Sequence, residues 1–255
     1  VCSSDLFLSL FSGRPLLALA VERVSGLIPL ERIFIITAEH LVDETAAAVW
    51  NMPRANIIGE PCKRDTAPAI AVASGIVRGR DPDGVVCILT ADQLISDVET
   101  FRTTLSDAVA QARRYAGVVT IGMHPTYPAT GFGYIEAGDL LPDAYTAARY
   151  VESGRYFWNS GMFIWHVDVM RDLFARYAPD LSQLADQVAD AVQARASIDG
   201  VLRQTYPLLR AISIDYAIME HAENIVMAEG CFGWDDVGSW PSVAGHFTAD
   251  QYGNV

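Results

Sequence analysis

The sequence has 255 residues, of which 51% are hydrophobic and 19% are charged, and its formal net charge is −13. A chain of this length and composition can bury a large core, so extended disorder is not expected. The acidic charge argues against binding nucleic acid through its phosphates, because that mode of binding needs a basic surface. Charged residues interrupt the first apolar stretch, so no membrane span of roughly 20 residues is predicted.

Four cysteines are scattered along the chain and form no CxxC pair: Cys2, Cys62, Cys87 and Cys231. This spacing predicts reduced thiols in a cytoplasmic protein, rather than a disulfide framework or a zinc site. The chain begins with Val1 and soon enters an apolar run. No basic region precedes that run, so we expect a buried segment rather than a signal peptide, in a chain whose true beginning lies upstream.

Helices and strands alternate through the first half of the chain. Helical periodicity covers 14–26, 40–50, 66–77 and 97–115, and short β-branched or apolar runs cover 33–37, 57–58, 85–89 and 118–122. This alternation predicts an α/β fold, with a Rossmann-like, mixed but mostly parallel sheet and helices on both faces. Ligands in such folds bind at the carboxyl ends of the strands.

The pattern changes after residue 123, where we expect a mixed lobe added to the sheet. Strands are predicted over 133–136 and 161–165, and helices over 167–177, 181–194, 200–210 and 213–222. No repeat, low-complexity segment or linker is visible, so we predict one domain over residues 1–255.

Carboxylates occur at two places that could serve a metal ion. Residues 232–240 read Phe-Gly-Trp-Asp-Asp-Val-Gly-Ser-Trp, which puts Asp235 and Asp236 in a short turn. Asp92 follows the predicted strand 85–89, so its side chain is expected at the ligand crevice. Taken alone, Asp92 is better explained as the cap of a turn. Together with the later pair, it could form a Mg²⁺ site of two carboxylates.

The segment 60–69 is a candidate anion site. It leaves one predicted strand and opens a helix, and Asp65 or Thr66 can cap that helix. Exposed amides next to Lys63 and Arg64 would attract an anion. An ordinary capped helix with two surface cations explains the same residues equally well.

Two further segments could contact a sugar. Gly131 and Gly133 would let the backbone approach a ligand closely, with Tyr134 packing on it, although a strand with a bulge is the alternative. Asn159 lies in the aromatic segment 156–163, and its amide suits sugar hydroxyls. From these residues alone, a core strand with one satisfied Asn is favoured.

Six stretches nevertheless resemble, in order and spacing, the bacterial mannose-1-phosphate guanylyltransferases (GDP-mannose pyrophosphorylases). These enzymes belong to the nucleotidyltransferases that make nucleotide sugars. The resemblance extends from about Phe7 to the end of the chain. The matching stretches are GEPCKRDTAPAIAVAS (59–74), ILTADQLISD (88–97), VVTIGMHPTYPATGFGYIEAG (118–138), SGRYFWNSGMFIW (153–165), SIDYAIMEHA (213–222) and FGWDDVGSW (232–240).

The resemblance implies a Mg²⁺-dependent reaction. Mannose 1-phosphate attacks GTP in line, and GDP-mannose and pyrophosphate form, without need of a strong general base. The resemblance implies that Asp92 and Asp236 bind the metal, and that these two aspartates and Arg64 are the catalytic residues. The implied nucleotide-binding residues are Arg64, Thr66, Ala67 and Asp92. The implied sugar-binding residues are Gly133, Tyr134, Asn159 and Asp215. Asp235 is expected to support Asp236 rather than to bind the metal.

The same resemblance divides the domain into a nucleotide-binding half (about 6–122) and a sugar-binding half (about 123–255). The domain as a whole is expected to be incomplete at both ends. The implied partners are GTP and mannose 1-phosphate, with no nucleic acid and no membrane, and a homodimer is left open.

The chain also departs from the family pattern. Members begin with a strand and a glycine-rich phosphate loop, then a Pro-Lys-Gln-Phe-Leu segment, whose last two residues match Phe7 and Leu8. We therefore expect the first strand and its loop to be missing. A Glu-Lys-Pro segment expected after Glu136 is absent, and Thr90 and Gln93 replace the usual Pro and His. These departures predict very poor turnover by the chain as it stands.

Three alternatives stay open. The chain could belong to an enzyme for another nucleotide or sugar 1-phosphate. It could be a non-catalytic subunit that binds nucleotide sugars. It could also be a truncated or chimeric reading frame without an independent role.

Overall fold

The computed structural model describes Phe7, residues 13–136, residues 156–237 and His246. In its first half, helices and strands alternate as predicted: α1 (Leu16–Ser25), β1 (Ile35–Ala38), α2 (Val42–Ala48), β2 (Ile57–Glu60), α3 (Thr66–Arg80), β3 (Val85–Ile88), β4 (Leu94–Ile95), α4 (Val98–Arg114) and β5 (Val118–Met123). The second half contains β6 (Tyr134–Ile135), β7 (Phe157–His166), α5 (Val167–Tyr177), α6 (Pro179–Gln193), α7 (Asp199–Thr205), β8 (Ile225–Gly230) and β9 (Trp234–Asp235).

Five elements differ from the prediction. The strand predicted over 161–165 begins at Phe157, because residues 157–161 alternate between half-buried and buried, as in a strand with one covered face, before the fully buried run 162–165. The helix predicted over 213–222 is a single π-helical turn, Asp215–Met219. Strands β4, β8 and β9 were not predicted; two of them have only two residues, too few to show a period.

The main sheet has the strand order β3–β7–β5–β8. Because β7 is antiparallel to both β3 and β5, and β5 is parallel to β8, three of these four strands run in one direction. The predicted mixed, mostly parallel sheet is therefore confirmed. Strand β6 adds to β7 beside Trp158.

Strands β1 and β2 form a separate parallel pair among the described residues. A cleft of about 1020 Å³ lies between β1 and β3, and helices α1, α3 and α4 also contribute to its walls. Its lining is mainly apolar and includes Ile36, Ile70 and Val86. That a first strand is missing stays a prediction.

Two apolar clusters support the sheet. The larger packs α3, α5 and α6 against the sheet around the buried Trp165, Phe174 and Tyr206. The other lies between α4 and the sheet, and there Phe101 and Phe232 meet edge to face with ring centroids 5.2 Å apart. Because burying one such ring contributes about 1.5–3 kcal/mol, Phe232 firmly anchors the residues that follow it.

Helices α3 and α6 pack closely because two glycines of α3 face α6. A Cβ atom added to Gly75 would lie 2.6 Å from the carbonyl oxygen of Ala185. In the described part of the chain, no helix has the length and apolar character needed to cross a membrane. Cys62, Cys87 and Cys231 are free thiols, as predicted, and Cys2 lies outside the described residues.

Candidate active site

A short antiparallel ribbon brings the predicted metal ligands together. In the ribbon, Leu94 of β4 pairs with Asp235 of β9, and Ile95 pairs with Trp234. The pairing continues past the ribbon, because the Ser96 amide donates to the Gly233 carbonyl at 3.0 Å. Asp92 and Asp236 each lie just outside the ribbon at the same end of it, so two segments far apart in sequence meet there.

Asp236 is half-buried, and its surroundings are crowded with negative charge. Burial, followed by the carboxylates of Asp92 and Asp235, raises the pKa of Asp236 to about 6. A divalent cation would relieve this repulsion, and carboxylate oxygens are the ligands that Mg²⁺ prefers. The donor set therefore fits the implied metal ion.

Asp235 makes other contacts. Its Oδ1 accepts a hydrogen bond from the Val237 amide at 3.1 Å, and its Oδ2 lies 2.8 Å from Nε2 of His246. The backbone at Val237 has φ of 22°, which is strained for a β-branched residue. These contacts hold the turn in which Asp236 lies near Asp92.

Sequence reasoning missed Arg23. Its Nη1 donates to the Gln93 carbonyl at 2.9 Å and its Nη2 to the Thr90 carbonyl at 3.4 Å. Burial lowers the pKa of Arg23 to about 10, while the nearby Asp92 carboxylate raises it. A signal was present, since Arg23 follows Leu16 by seven positions and Ala20 by three, which places it on their apolar side of the predicted helix.

The start of α3 is tied to the rest of the chain. Asp65 has φ of 66° and caps the helix by accepting a hydrogen bond from the Thr66 amide at 2.8 Å. The Ala67 amide donates to the Ile212 carbonyl at 3.1 Å, and the Thr66 hydroxyl accepts from the Ile214 amide at 2.9 Å. The amides of Thr66 and Ala67 are thus already hydrogen-bonded within the chain, so these two are not open to an anion.

Arg64 is half-buried beside this helix start. Its Nη2 donates to the Pro207 carbonyl at 2.5 Å and its Nη1 to the Lys63 carbonyl at 3.2 Å. Both recorded acceptors are main-chain carbonyls, so these contacts leave its positive charge available to an anion.

The predicted sugar-binding residues lie together. Asn159 Nδ2 donates to Asp215 Oδ1 at 3.1 Å, while Asn159 Oδ1 accepts from the Gly161 amide at 3.0 Å. The main-chain amide of Asn159 donates to the Gly133 carbonyl at 2.7 Å. Burial raises the pKa of Asp215, although its hydrogen bond from Asn159 opposes the shift. Tyr134 is next in the chain to Gly133 and pairs with Trp158.

The predicted nucleotide-binding residues and the predicted sugar-binding residues border the same cleft. Thr66, Asp215 and Thr90 line the cleft between β1 and β3, and Asp92 lies two residues beyond Thr90. Aromatic rings link the two sides: Phe132 and Trp234 lie 5.3 Å apart between centroids, and Trp158 and Trp234 lie 6.0 Å apart. These rings connect the segment of Gly133 to that of Asp236.

Residues 3–251 match the family model described as nucleotidyl transferase. The chain belongs to this family. It is 32% identical over 261 residues to mannose-1-phosphate guanylyltransferase 2 of Escherichia coli O157:H7, covering 93% of this chain and 54% of that protein. It is 33% identical over 270 residues to a mannose-1-phosphate guanylyltransferase of Klebsiella pneumoniae, covering 98% of this chain and 56% of that protein.

A solved structure shows the same nucleotidyl transferase fold. It is described as mannose-1-phosphate geranyltransferase from Thermus thermophilus, and it matches with a TM-score of 0.82 and 30% identity. The match covers 96% of this chain and 73% of that one. The chain spans about half the length of the curated relatives it matches.

Proposed function

We propose that this protein transfers the guanylyl group of GTP to mannose 1-phosphate, forming GDP-mannose and releasing pyrophosphate. The observation that carries the proposal is the meeting of Asp92 and Asp236 beside the cleft, with mutual repulsion that a divalent cation would relieve. The names of the curated relatives support these two substrates.

Mg²⁺ is the cofactor that we propose for this site. When bound, it would supply positive charge to the reacting phosphates. Asp92 and Asp236 would hold it through carboxylate oxygens, and Asp235 would keep the turn of Asp236 in place through the Val237 amide.

The remaining proposed roles concern orientation. The attacking group is a phosphate oxygen that is already ionised near neutral pH, so no side chain needs to remove a proton from it. Arg64 would place positive charge at the nucleotide, and Thr66 would offer its hydroxyl there. Ala67 is fully buried, so its part would be to fix the position of Thr66 in the first turn of α3.

On the sugar side, the amide of Asn159 and the carboxylate of Asp215 would bind hydroxyl groups. The exposed Gly133 would let the ligand approach the main chain, with Tyr134 beside it. We accordingly assign nucleotide binding to about residues 6–122 and sugar binding to about residues 123–255, within a cytoplasmic enzyme.

Radiolabelled GTP tests the proposal. The chain is incubated at high protein concentration with mannose 1-phosphate and Mg²⁺, because the sequence predicts slow turnover. We expect labelled GDP-mannose to form only when the sugar phosphate and Mg²⁺ are both present, and Asp236→Asn to slow its formation greatly.

Substrate identity is tested by competition across four nucleoside triphosphates, with mannose 1-phosphate and glucose 1-phosphate as acceptors. Preference for a different pair would replace the proposed substrates by those of another sugar-1-phosphate nucleotidyltransferase. Tight binding of GDP-mannose without any turnover would instead support a non-catalytic subunit.

A further inference from the structure

A buried arginine lies behind the segment that carries Asp92. Arg23 in α1 is only 7% exposed. Its two terminal nitrogens donate to the carbonyls of Thr90 and Gln93, at 3.4 and 2.9 Å. Because these carbonyls lie on either side of Asp92, one guanidinium group holds the chain both before and after that residue.

We infer that Arg23 is a positioning residue: by holding the main chain at Thr90 and Gln93, it orients Asp92 toward Asp236 and thereby sets the affinity of this carboxylate pair for a divalent cation. This inference rests on the proposed metal role of the two aspartates. It adds a residue that would not touch the metal.

The choice of arginine at this position needs a reason, because an apolar side chain would suit the buried face of α1. Burying a cation costs several kcal/mol unless hydrogen bonds compensate. The forked guanidinium can reach two carbonyls at once, whereas the ammonium group of lysine is a single point of charge. The recorded hydrogen bonds of Arg23 are to the main chain, so they leave the oxygens of Asp92 to other partners.

The segment is also held on its other side. The side-chain amide of Gln93 donates to the Ser160 carbonyl of β7 at 2.6 Å, and the Ser160 hydroxyl donates to the Ile121 carbonyl of β5 at 2.7 Å. Arg23 therefore ties the segment to α1, while Gln93 ties it to the sheet. Asp92 lies between these two anchors.

Two neighbouring residues of α4 contact Arg23 at different places, Phe101 at the guanidinium and Arg102 only at the main chain. The guanidinium of Arg23 lies 5.7 Å from the centroid of the Phe101 ring, and the Arg23 carbonyl accepts a hydrogen bond from Nε of Arg102 at 2.9 Å. Arg102 thus joins α1 to α4 without a recorded contact to the Asp92 segment. It offers a matched control for general loss of helix packing.

Two effects of Arg23 on a bound cation oppose each other. Its positive charge, which is felt by Asp92, repels a second cation. Its hydrogen bonds orient a ligand, and residues that orient metal ligands typically change metal affinity by about 10–100-fold. Lysine keeps the charge and loses the fork, whereas methionine loses both, so these two substitutions separate the effects.

The test measures Mn²⁺ binding to the full 255-residue chain by electron paramagnetic resonance, with and without GTP. The variants are Arg23→Lys, Arg23→Met, Asp92→Asn and Arg102→Met. If orientation dominates, both Arg23 variants should bind Mn²⁺ about 10–100-fold more weakly. Asp92→Asn should remove this binding, and Arg102→Met should leave it unchanged. Thermal unfolding of each variant sets a temperature at which all are folded, and Arg23→Lys suffices if Arg23→Met does not fold.

The outcomes separate this inference from the proposed function. Wild-type affinity in Arg23→Lys, together with loss of binding in Asp92→Asn, would overturn the role of Arg23 alone. Tighter binding in Arg23→Met would also overturn it, because charge would then outweigh orientation. If the wild type binds no Mn²⁺, or if Asp92→Asn binds it equally well, the metal role of Asp92 fails and the inference fails with it.

Discussion

Two regions of the site differ in how their carboxylates are surrounded. We call Asp92, Asp235 and Asp236 the carboxylate corner, and Gly133, Asn159 and Asp215 the amide corner. In the carboxylate corner, like charges crowd one another beside a short ribbon. In the amide corner, one side-chain amide donates to a single carboxylate and accepts from the main chain. The first arrangement suits a cation, and the second suits neutral hydroxyl groups.

Burial raises the pKa of a carboxyl in both corners, but the next causes differ. For Asp236, neighbouring carboxylates raise the pKa further. For Asp215, its own backbone bond and the hydrogen bond from Asn159 oppose the rise. An external cation would therefore stabilise the ionised form of Asp236, whereas ionised Asp215 already has hydrogen-bond donors within the chain. Substitutions in the two corners should accordingly have different kinetic effects.

The largest expected effect comes from Asp236→Asn, which keeps the shape of the side chain and removes its charge. We expect the rate of GDP-mannose formation to fall about 10³-fold, a loss similar to that from removing one preorganised transition-state contact. Radiolabelled product measured over a long incubation gives the rate.

Asp235→Asn is the matched control for this substitution. An asparagine there can still accept the hydrogen bond of the Val237 amide, so the turn should persist and the loss should be about tenfold. Equal losses in the two variants would show that the carboxylate corner does not distinguish its adjacent aspartates, and a greater loss in Asp235→Asn would reverse the proposed roles.

The two corners also differ in how far they could be predicted. Asp92 and Asp236 follow recognisable signals, a buried strand and an unusual turn, and the fold rule for strand ends placed the first of them near a ligand. That they meet depends on strands β4 and β9, whose two-residue length gives no periodic signal. The contact between Asn159 and Asp215 likewise depends on tertiary packing, although the resemblance placed both on the sugar side.

Arg23 shows a further limit on what could be predicted from the sequence. Its helix was predicted closely, at 14–26 against the observed Leu16–Ser25. Periodicity marked the buried face of that helix, but a charged residue on such a face has no assigned partner until the fold brings Thr90 and Gln93 to it. Local patterns thus gave the elements, whereas pairings between distant segments needed the structure.

Asn159→Ala tests whether the amide corner binds the sugar phosphate. The hydrogen bond to Asp215 would be lost, and one such bond to a charged group contributes about 1.5–3 kcal/mol. We expect KM for mannose 1-phosphate to rise about tenfold or more, with kcat little changed, because the contact would serve binding rather than the transition state. Steady-state kinetics with varied sugar phosphate measures both constants.

Thr120→Val is the control for losing a buried polar contact in the same sheet. The Thr120 hydroxyl donates to the Met162 carbonyl at 3.3 Å, within the core. This variant should lower the free energy of unfolding without changing KM. A fall in kcat with unchanged KM for Asn159→Ala would place this amide with the reacting phosphates instead, and the distinction between the two corners would weaken.

The smallest effect concerns stability and pH. Because burial raises the pKa of Asp215 in the folded chain, the folded state holds this proton at pH values where the unfolded state, with a pKa of about 3.9, has released it. The folded state then binds more protons than the unfolded state, so this group makes the free energy of unfolding fall as pH rises through that window. Asp215→Asn removes the contribution and can still accept the hydrogen bond of Asn159. The variant should therefore gain stability over the wild type as pH rises, which urea unfolding at a series of pH values can measure.

Two other carboxyls, those of Glu60 and Asp236, also have a raised pKa, and their titration has to be separated from that of Asp215; Asp236→Asn serves for the second. Burial also raises the pKa of Glu60, so Glu60→Gln in both backgrounds distinguishes its titration from that of Asp215. A stability difference between Asp215→Asn and the wild type that stays constant with pH would contradict the prediction. It would mean that the hydrogen bond from Asn159 fully offsets the effect of burial on the pKa of Asp215. Ionising Asp215 would then cost no more free energy in the folded chain than in the unfolded chain.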